Sequence, residues 1–373
     1  MPTGAGADWF LVRNAAEIPS PALLLFEERI DANLRAMVGL AGDPGRLRPH
    51  VKTHKLRELL GRQLALGISR FKCATIAEAE MVAAAGGTDV LVAYPLVGPQ
   101  PARLAALARR YPGVRFSSLV DAPGLALALS QAAREASVRL GVFVDLNIGQ
   151  DRTGIVPGPA AAALYREAAR SRHLEARGLH AYDGHLALGD PAERERRSDE
   201  AYAPVAALRA ALEAEGLGVP GVVAGGSPTF PCHARRAGVE LSPGTTVLWD
   251  AGYAARLPDL PFLPAAVLLA RVISRPARGR LCLDLGHKAV GSEMPRPRVQ
   301  FLNLAGAEEV GHSEEHLVVA VPDDTEVPVG TEIYALPWHV CPTVALHEWV
   351  WPVREGLAGD PWEVTARRRR LTL

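Results

Sequence analysis

Lys52 is the residue of this sequence with the clearest capacity for covalent chemistry. It stands in Pro-His-Val-Lys-Thr-His-Lys, at the end of an apolar run that begins at Leu47. Burial of a charged ammonium is costly, so a buried lysine has a lowered pKa and becomes a candidate amine for a Schiff base. The alternative is a surface lysine at a strand end, and the neighbouring residues leave both interpretations open.

A glycine-rich turn, Ala-Gly-Gly-Ser-Pro-Thr, is the second chemical signal. The backbone N–H groups of Gly225 and Gly226 can approach an anion closely, and Ser227 and Thr229 add hydroxyl donors. Tyr253, which follows a second turn, could supply a further donor to a phosphate. The alternative is an ordinary tight turn without a ligand.

A histidine and a cysteine two residues apart form the third signal. His339 and Cys341 lie in Trp-His-Val-Cys-Pro-Thr, and in an extended segment this spacing points both side chains to one face. Imidazole and thiolate suit a soft-to-borderline divalent ion, zinc above all. Two protein ligands leave open positions for water and substrate, which a Lewis-acid role requires. The alternative is a buried cysteine beside a structural histidine.

The elements that must position these residues alternate between short apolar runs and helical stretches. A βαβα rhythm with continuously apolar strands predicts a parallel sheet covered by helices on both sides. The predicted strands are Ala22–Phe26, Leu47–Lys52, Arg70–Thr75, Val90–Pro95, Arg115–Val120, Arg139–Asn147, Glu175–Asp183, Gly221–Gly226 and Thr246–Asp250. Eight strands close a (β/α)₈ barrel, so we expect Ala22–Phe26 to lie outside it and Leu47–Lys52 to come first. An open doubly wound sheet is the alternative.

After Tyr253 the helical stretches disappear, and short β-rich runs punctuated by Pro and Gly predict a mostly antiparallel β domain. These runs are Ala266–Ser274, Arg280–Leu285, Leu317–Val321, Glu332–Leu336 and Trp362–Arg369. The predicted fold class is therefore α/β, with a (β/α)₈ TIM-type barrel over residues 22–253. Residues 1–21 and 254–373 are expected to form the C-terminal antiparallel β domain, which carries the His-x-Cys pair.

Polar residues concentrate at the C-terminal ends of the predicted barrel strands, where this fold places active sites. Arg152 follows one strand, and Tyr182, Asp183 and His185 follow the next. The glycine-rich turn follows the predicted seventh strand, and phosphate sites in this fold commonly use the loops after strands seven and eight.

Composition excludes several classes of partner. The 373 residues carry 41 basic and 41 acidic side chains, so nothing favours nucleic acid or an anionic membrane. The four cysteines are isolated in sequence, which favours a reducing compartment, and we expect a cytoplasmic protein. No apolar run approaches the roughly 20 residues that a membrane-spanning helix needs.

The order of these signals along the chain resembles the fold-type III enzymes that depend on pyridoxal 5′-phosphate (PLP). The resemblance is to the D-threonine aldolase and D-serine dehydratase branch of the alanine-racemase-like superfamily, and it covers nearly the whole chain. Its motifs are Pro-His-Val-Lys-Thr-His-Lys, Lys-Cys-Ala-Thr-Ile-Ala-Glu-Ala-Glu, Asp-Arg-Thr-Gly, Tyr-Asp-Gly-His, Gly-Gly-Ser-Pro-Thr and Trp-His-Val-Cys-Pro-Thr. Asp183 departs from the small residue expected between Tyr182 and Gly184.

The resemblance implies a PLP-binding barrel, usually in a homodimer, and assigns roles by position. Lys52 would carry PLP as a Schiff base, Arg152 would hydrogen-bond its phenolate oxygen, and Tyr182 would lie near its pyridine nitrogen. The phosphate would be held by Gly225, Gly226, Ser227, Thr229 and Tyr253. His339 and Cys341 would hold a divalent metal, either zinc, manganese or magnesium.

Two lyase reactions on a D-β-hydroxy-α-amino acid fit these parts. In the favoured aldolase hypothesis, the metal lowers the pKa of the β-hydroxyl and His185 takes its proton, giving glycine and an aldehyde. In the dehydratase hypothesis, Lys52 takes the α-proton and hydroxide leaves, giving a keto acid and ammonia. His-x-Cys favours zinc and so the dehydratase, whereas the overall pattern favours the aldolase. A 3-hydroxyaspartate-type substrate fits either.

A racemase and a non-catalytic PLP-binding protein are the remaining alternatives. A racemase needs a second proton donor, usually a tyrosine, and Tyr334 is the only tyrosine beyond the predicted barrel edge. A PLP-binding regulatory protein has no use for the Lewis acid that His339 and Cys341 would hold.

Overall fold

The computed structural model describes residues 8–324 and 326–373 and divides into two compact units. The barrel unit comprises residues 37–52, 57–244 and 368–373, and the β unit comprises the other described residues. The strands are β1 (Ala22–Phe26), β2 (Arg70–Cys73), β3 (Asp89–Pro95), β4 (Arg115–Val120), β5 (Leu140–Leu146), β6 (Leu174–Ala181), β7 (Gly221–Ala224), β8 (Val239–Leu241), β9 (Ala266–Ala277), β10 (Arg280–Leu283), β11 (Val299–Phe301), β12 (Glu308–His312), β13 (Leu317–Ala320), β14 (Glu332–Pro337), β15 (Trp349–Arg354), β16 (Leu357–Ala358) and β17 (Trp362–Glu363). The α-helices are α1 (Glu27–Ala41), α2 (Arg57–Ala65), α3 (Ile76–Ala84), α4 (Gln100–Arg110), α5 (Pro123–Glu135), α6 (Pro159–Arg170), α7 (Pro191–Ala214), α8 (Phe230–Ala234), α9 (Ala251–Arg256) and α10 (Val340–Leu346).

The barrel unit is built on a parallel sheet in the order β2-β3-β4-β5-β6-β7-β8. Residues 47–50 join its two edges: Leu47 bridges Leu241 of β8, and His50 bridges Lys72 of β2, both in parallel. This segment occupies the eighth strand position of a (β/α)₈ barrel, which confirms the predicted fold class. It pairs through isolated bridges rather than as a regular strand, and a 3₁₀ turn, Val51–Thr53, follows it.

The last barrel strand was predicted at the wrong place. The run Thr246–Asp250 overlaps a 3₁₀ turn, Thr245–Val247, and the strand that completes the sheet is β8. An apolar run alone cannot distinguish a buried turn from a buried strand. Trp249 has a φ of 46°, a left-handed conformation that an extended strand excludes.

Buried charges occupy the end of the barrel where β3 begins. Arg48 Nη1 lies 2.8 Å from Asp89 Oδ1, and its Nε lies 2.6 Å from Glu240 Oε2. Arg177 Nη2 lies 2.7 Å from Asp89 Oδ2. Opposite charges and hydrogen bonds offset the desolvation of these groups. A small apolar cluster of Leu91, Leu119, Phe143 and Val223 adds core packing.

Local capping explains why α3 begins directly after β2. Thr75 Oγ1 accepts a hydrogen bond from Glu78 N at 3.1 Å, while Glu78 Oε2 accepts one from Ala74 N at 2.6 Å. This reciprocal arrangement satisfies backbone donors at the helix start, as in a capping box. The motif that contributes to the family resemblance therefore has a structural function here.

The β unit contains a mixed sheet in the order β12-β13-β10-β9-β1-β15-β16, with β14 also paired to β9. The strand β1 pairs antiparallel with β9 and parallel with β15, so it lies outside the barrel sheet, as its apolar run predicted. The expected domain boundary at residue 22 differs from the structure, because residues 22–36 belong to the β unit. Residues 1–7 of the predicted β domain lie outside the described residues.

Two expectations for the β unit were wrong. The helix α10 lies where helices were expected to have ended, so His339 is the extended residue before a helix and Cys341 lies in its first turn. The predicted strand Trp362–Arg369 is reduced to β17 and a 3₁₀ turn, Thr365–Arg367. Among the described residues, no helix is long and apolar enough to cross a membrane.

Candidate active site

A cavity of about 550 Å³ opens at the C-terminal ends of the barrel strands. Its polar and titratable lining residues are His50, Lys52, Lys72, Tyr94, Arg152, Thr153, His180 and Tyr182. Of the described residues that line it, none is acidic. Such a basic wall favours a ligand that carries anionic oxygens.

Lys52 lines this cavity and lies in the 3₁₀ turn that follows residues 47–50. Its backbone N–H donates a 3.3 Å hydrogen bond to His50 Nδ1, and the side chain is half-buried. The structure thus brings Lys52 into the same cavity as Arg152 and Tyr182, which the sequence analysis grouped with it.

Lys72 is a second lysine in the cavity, and the sequence analysis missed it. It lies on β2 and is 2% exposed. Burial lowers its pKa to about 7, and the neighbouring Lys52 ammonium lowers it further in the same direction. Arg70 and Lys72 alternate with apolar residues, which puts both on one face of the strand; this pattern was the available signal.

The Tyr182 ring lies beside two cationic groups and a glycine. Arg152 Cζ and Lys72 Nζ are each 5.3 Å from the ring centroid, within the range of cation–π attraction. A Cβ on Gly226 would lie 2.9 Å from Tyr182 Cε2, so only glycine permits this approach. Gly226 therefore makes room for an aromatic ring.

The glycine turn differs from the expected anion cradle. Gly225 has a φ of 78°, which favours glycine, and its N–H donates to Ala181 O at 3.2 Å. The Gly226 N–H donates to Thr229 Oγ1 at 3.3 Å. Because both N–H groups are engaged within the barrel unit, the pair shapes the turn instead of presenting free donors.

Thr229 and Asp183 form a buried polar network under this turn. Thr229 Oγ1 donates its proton to Asp183 Oδ1 at 2.6 Å, and His233 Nε2 lies 2.8 Å from Asp183 Oδ2. Arg236 Nη1 donates a hydrogen bond to His233 Nδ1 at 2.8 Å. Burial alone would raise the pKa of Asp183, but the hydrogen bonds from His233 and Thr229 outweigh it and the pKa is lowered. The Thr229 hydroxyl proton is therefore committed to Asp183.

Ser227 and Tyr253 are the other two residues that were expected to bind the phosphate, and they belong to different units. Ser227 Oγ accepts a hydrogen bond from Gly244 N at 3.2 Å within the barrel unit. Tyr253 lies in α9 of the β unit, where its ring stacks on Trp249 with centroids 5.1 Å apart. Asp250 caps this helix by accepting from Tyr253 N at 2.9 Å.

His339 and Cys341 lie together in the β unit. Their side chains are hydrogen-bonded, and Glu293 Oε1 pairs with His339 Nδ1. Burial alone would lower the pKa of His339, but Cys341 and Glu293 raise it to about 9. Cys341 Sγ is also 3.2 Å from Thr53 Oγ1. Within the described residues, no group of three or more His, Cys, Asp or Glu side chains could hold a metal ion.

His185, the expected base, is an exposed residue of the loop after β6. A Cβ on Gly149 would lie 3.2 Å from its Nε2, so the imidazole packs over the loop that follows β5. His185 is not among the described residues that line the 550 Å³ cavity.

Asp145 and His180 are a further pair that the sequence analysis missed. Asp145 Oδ1 lies 2.6 Å from His180 Nδ1, and both side chains are almost fully buried. Asp145 occupies β5 and His180 occupies β6 at the paired register position. Their separation of 35 residues concealed the pair, because only strand register brings them together.

A lysine at the C-terminal end of a (β/α)₈ barrel, in a basic cavity beside an arginine and a tyrosine, defines a barrel of the alanine-racemase type. A family model described as "Alanine racemase, N-terminal domain" matches residues 27–249, and one described as "Putative serine dehydratase domain" matches residues 265–353. The chain belongs to the fold-type III, alanine-racemase-like family of PLP-dependent enzymes, in its D-threonine aldolase and D-serine dehydratase branch. The resemblance inferred from the motifs is confirmed.

Individual relatives match over nearly the whole chain. A D-threonine aldolase of Arthrobacter sp. is 33% identical over 359 residues, which cover 94% of this chain and 93% of the relative. A 3-hydroxy-D-aspartate aldolase of Paracoccus denitrificans (strain Pd 1222) is 31% identical over 368 residues, with the same coverage. The crystal structure of D-threonine aldolase from Filomicrobium marinum superposes with a TM-score of 0.88 at 33% identity, covering 94% of this chain and 96% of that one.

Proposed function

We propose that this protein is a PLP- and divalent-metal-dependent lyase that cleaves D-β-hydroxy-α-amino acids to glycine and an aldehyde. The two aldolases matched over 94% of the chain support this reaction class. The observation that carries the proposal is the basic cavity that contains Lys52, because it fits an aromatic aldehyde cofactor with anionic oxygens.

The residues present fit PLP by volume and by donor chemistry. The cavity of about 550 Å³ has lysine, arginine and tyrosine side chains in its wall. Lys52 Nζ would form the covalent link, Arg152 would donate hydrogen bonds to the phenolate oxygen, and Tyr182 would lie near the ring nitrogen. Ser227 and Tyr253 would supply hydroxyl donors to the phosphate, while Gly225, Gly226 and Thr229 would shape the turn beneath it. When bound, PLP supplies an electron sink for a carbanion at Cα.

The donor set of His339 and Cys341 fits a divalent ion, zinc in particular. Glu293 on Nδ1 would orient the imidazole, as carboxylates orient metal-binding histidines elsewhere. An ion held there would supply Lewis acidity to the β-hydroxyl. The chain is similar to two variant structures of a D-threo-3-hydroxyaspartate dehydratase. In one a histidine is replaced by alanine, and in the other, which is metal-free, a cysteine two positions later is replaced by alanine. This spacing supports the assignment of the His-x-Cys pair as metal ligands.

The side chains of this protein would then move two protons. His185 Nε2 would accept the proton of the β-hydroxyl during bond cleavage, as its position in the Tyr-Asp-Gly-His motif predicts. Lys52 Nζ would return a proton to Cα.

Dehydration is the second candidate function. A D-threo-3-hydroxyaspartate dehydratase of Delftia sp. (strain HT23) is 30% identical over 381 residues, covering 92% of this chain. Its crystal structure superposes with a TM-score of 0.81 at 27% identity, covering 93% of this chain and 97% of that one. In this reaction Lys52 Nζ would take the proton from Cα, and the products would be a keto acid and ammonia.

One assay separates these functions. The purified holoenzyme is offered D-threonine, D-3-hydroxyaspartate and D-serine with and without EDTA, and the products are quantified. We expect glycine and aldehyde in an EDTA-sensitive reaction. Keto acid and ammonia would instead establish the dehydratase, and metal-independent interconversion of enantiomers would establish a racemase.

Two matched pairs of variants test the assigned residues. K52A should lose the visible absorbance of the lysine-bound cofactor and all turnover, whereas the exposed-lysine control K288A should keep both. C341A should lose stoichiometric zinc, whereas C282A should keep it. Visible absorbance without turnover on any of the D-amino acids would favour a non-catalytic PLP-binding protein. The homodimer and the cytoplasmic location stay predictions, which light scattering and cell fractionation test.

A further inference from the structure

The Asp145–His180 pair is a buried carboxylate–imidazole contact in the barrel unit. The two residues sit at paired positions of β5 and β6, so their side chains meet on one face of the barrel sheet. The Oδ1–Nδ1 distance of 2.6 Å indicates a strong, charge-assisted hydrogen bond. His180 lies in the wall of the 550 Å³ cavity together with Lys52, Arg152 and Tyr182.

The protonation state of the pair follows from its surroundings. Burial alone would raise the pKa of Asp145, but the hydrogen bond from His180 outweighs it and the pKa is lowered. An ionised carboxylate only accepts hydrogen bonds, so the proton must reside on His180 Nδ1. Burial lowers the pKa of His180, and the imidazole is therefore neutral, with a lone pair on Nε2.

That Nε2 atom is buried and has no hydrogen-bond partner among the described residues. A buried acceptor that has no donor is destabilising, because it has lost its hydrogen bonds to water without replacement. The donor can come from a molecule that enters the cavity. His185, by comparison, is exposed and has no carboxylate to fix its tautomer among the residues described.

We propose that His180 Nε2 accepts a hydrogen bond from an O–H or N–H group of the molecule bound in the cavity, with Asp145 as its positioning residue. This inference rests on the proposed function for the identity of that molecule. The donor has two sources: the ring N–H of the cofactor or the β-hydroxyl of the amino acid substrate.

Substitution of His180 in the holoenzyme separates these sources. H180F removes the acceptor, H180Q retains an acceptor oxygen, and H173Q, at the residue just before β6, is the matched control. If the cofactor is the donor, H180F should weaken PLP affinity about tenfold or more, measured by the visible absorbance. If the substrate is the donor, PLP affinity stays within twofold and kcat/KM falls about tenfold or more. H180Q should recover part of either loss.

Nitrogen NMR of ¹⁵N-histidine-labelled protein tests the pair without any turnover. The His180 Nε2 resonance, assigned by its loss in H180F, should show an unprotonated nitrogen that shifts on addition of PLP or D-threonine. D145N should abolish the single tautomer. Thermal unfolding of each variant shows whether it is folded. If H180F is not folded, the activity and PLP affinity of H180Q and the Nε2 shift in the wild-type protein decide whether His180 accepts the hydrogen bond.

The proposal is overturned if H180F changes neither PLP affinity nor kcat/KM, or if Nε2 is protonated in the holoenzyme. A wild-type protein without lyase activity would end the proposed function alone. In that case PLP affinity and the Nε2 shift on PLP addition still decide the role of His180, and no change in either would overturn it.

Discussion

Replacement of Asp183 by asparagine tests the polar network under the glycine turn. Arg236 can only donate, so His233 Nδ1 must accept and the proton must lie on Nε2, facing Asp183. Thr229 donates to the other carboxylate oxygen. In D183N the asparagine side-chain oxygen can still accept the hydrogen bond from Thr229, but the amide NH₂ group then faces the Nε2–H of His233. Two donors oppose each other, and the imidazole cannot change tautomer while Arg236 occupies Nδ1.

The magnitude follows from the bonds that change. One charge-assisted hydrogen bond, worth about 1.5–3 kcal/mol, is lost, and a buried donor left unpaired costs about 1–3 kcal/mol. We expect D183N to lower the free energy of unfolding by about 3 kcal/mol, which corresponds to a fall of roughly 4 °C in Tm for a chain of 373 residues. Urea unfolding followed by circular dichroism measures the change, and D360N, at an exposed aspartate, should stay within about 0.5 kcal/mol of wild type.

A double variant distinguishes this explanation from a general packing defect. R236M frees His233 Nδ1, so the imidazole can move its proton there and accept from the asparagine NH₂ through Nε2. The combined cost of D183N and R236M should therefore be smaller than the sum of the single costs by about 1 kcal/mol or more. Additive costs, or a D183N cost below about 1 kcal/mol, would refute the donor–donor argument.

Three further predictions concern the barrel unit. The pKa of Lys72 is about 7 in the folded protein and near 10.5 in the unfolded chain, so the unfolded chain binds more protons between these values and the stability of the wild-type apoprotein should rise with pH across that window. The K72M apoprotein should be more stable than wild type at pH 7, and this advantage should be larger at pH 7 than at pH 9 by up to about 2 kcal/mol. A parallel pH dependence in the two proteins would contradict this. G226A should push against the Tyr182 ring and weaken PLP affinity about tenfold, measured by absorbance titration, and unchanged affinity would count against the close approach. R48M leaves Asp89 with less compensation and should lower the free energy of unfolding by about 3–5 kcal/mol in a urea titration, whereas a neutral outcome would mean that the buried ion pair adds little.

The barrel was predictable because its strands carry a local signal. Buried parallel strands are continuous apolar runs, and β3 to β7 were found within a few residues of their observed bounds. Helical stretches were also expected between the strands, and α3, α4, α6 and α7 lie there. The short β8 was missed, since three residues give too little pattern, and the apolar run after Gly244 offered a more convincing but incorrect alternative.

The candidate site was predictable only in part. Lys52, Arg152 and Tyr182 were grouped correctly in one cavity, because the ends of parallel strands converge at one rim. Lys72, Asp145 and His180 were missed, since each lies inside a strand where a polar residue is usually structural. The roles of the glycine pair and Thr229 were inferred from residue type, which cannot tell whether a donor is already engaged.

The sequence by itself determined the class of protein, the alternation of strands and helices, and the lysine at the first strand end. These properties depend on residues close together in the chain. Tertiary structure alone decided which polar atoms are satisfied and which remain available, because hydrogen-bond partners such as Asp145 and His180, or Asp183 and His233, are 35 and 50 residues apart. Strand register and burial set the proton position on each imidazole, and neither can be read from local sequence.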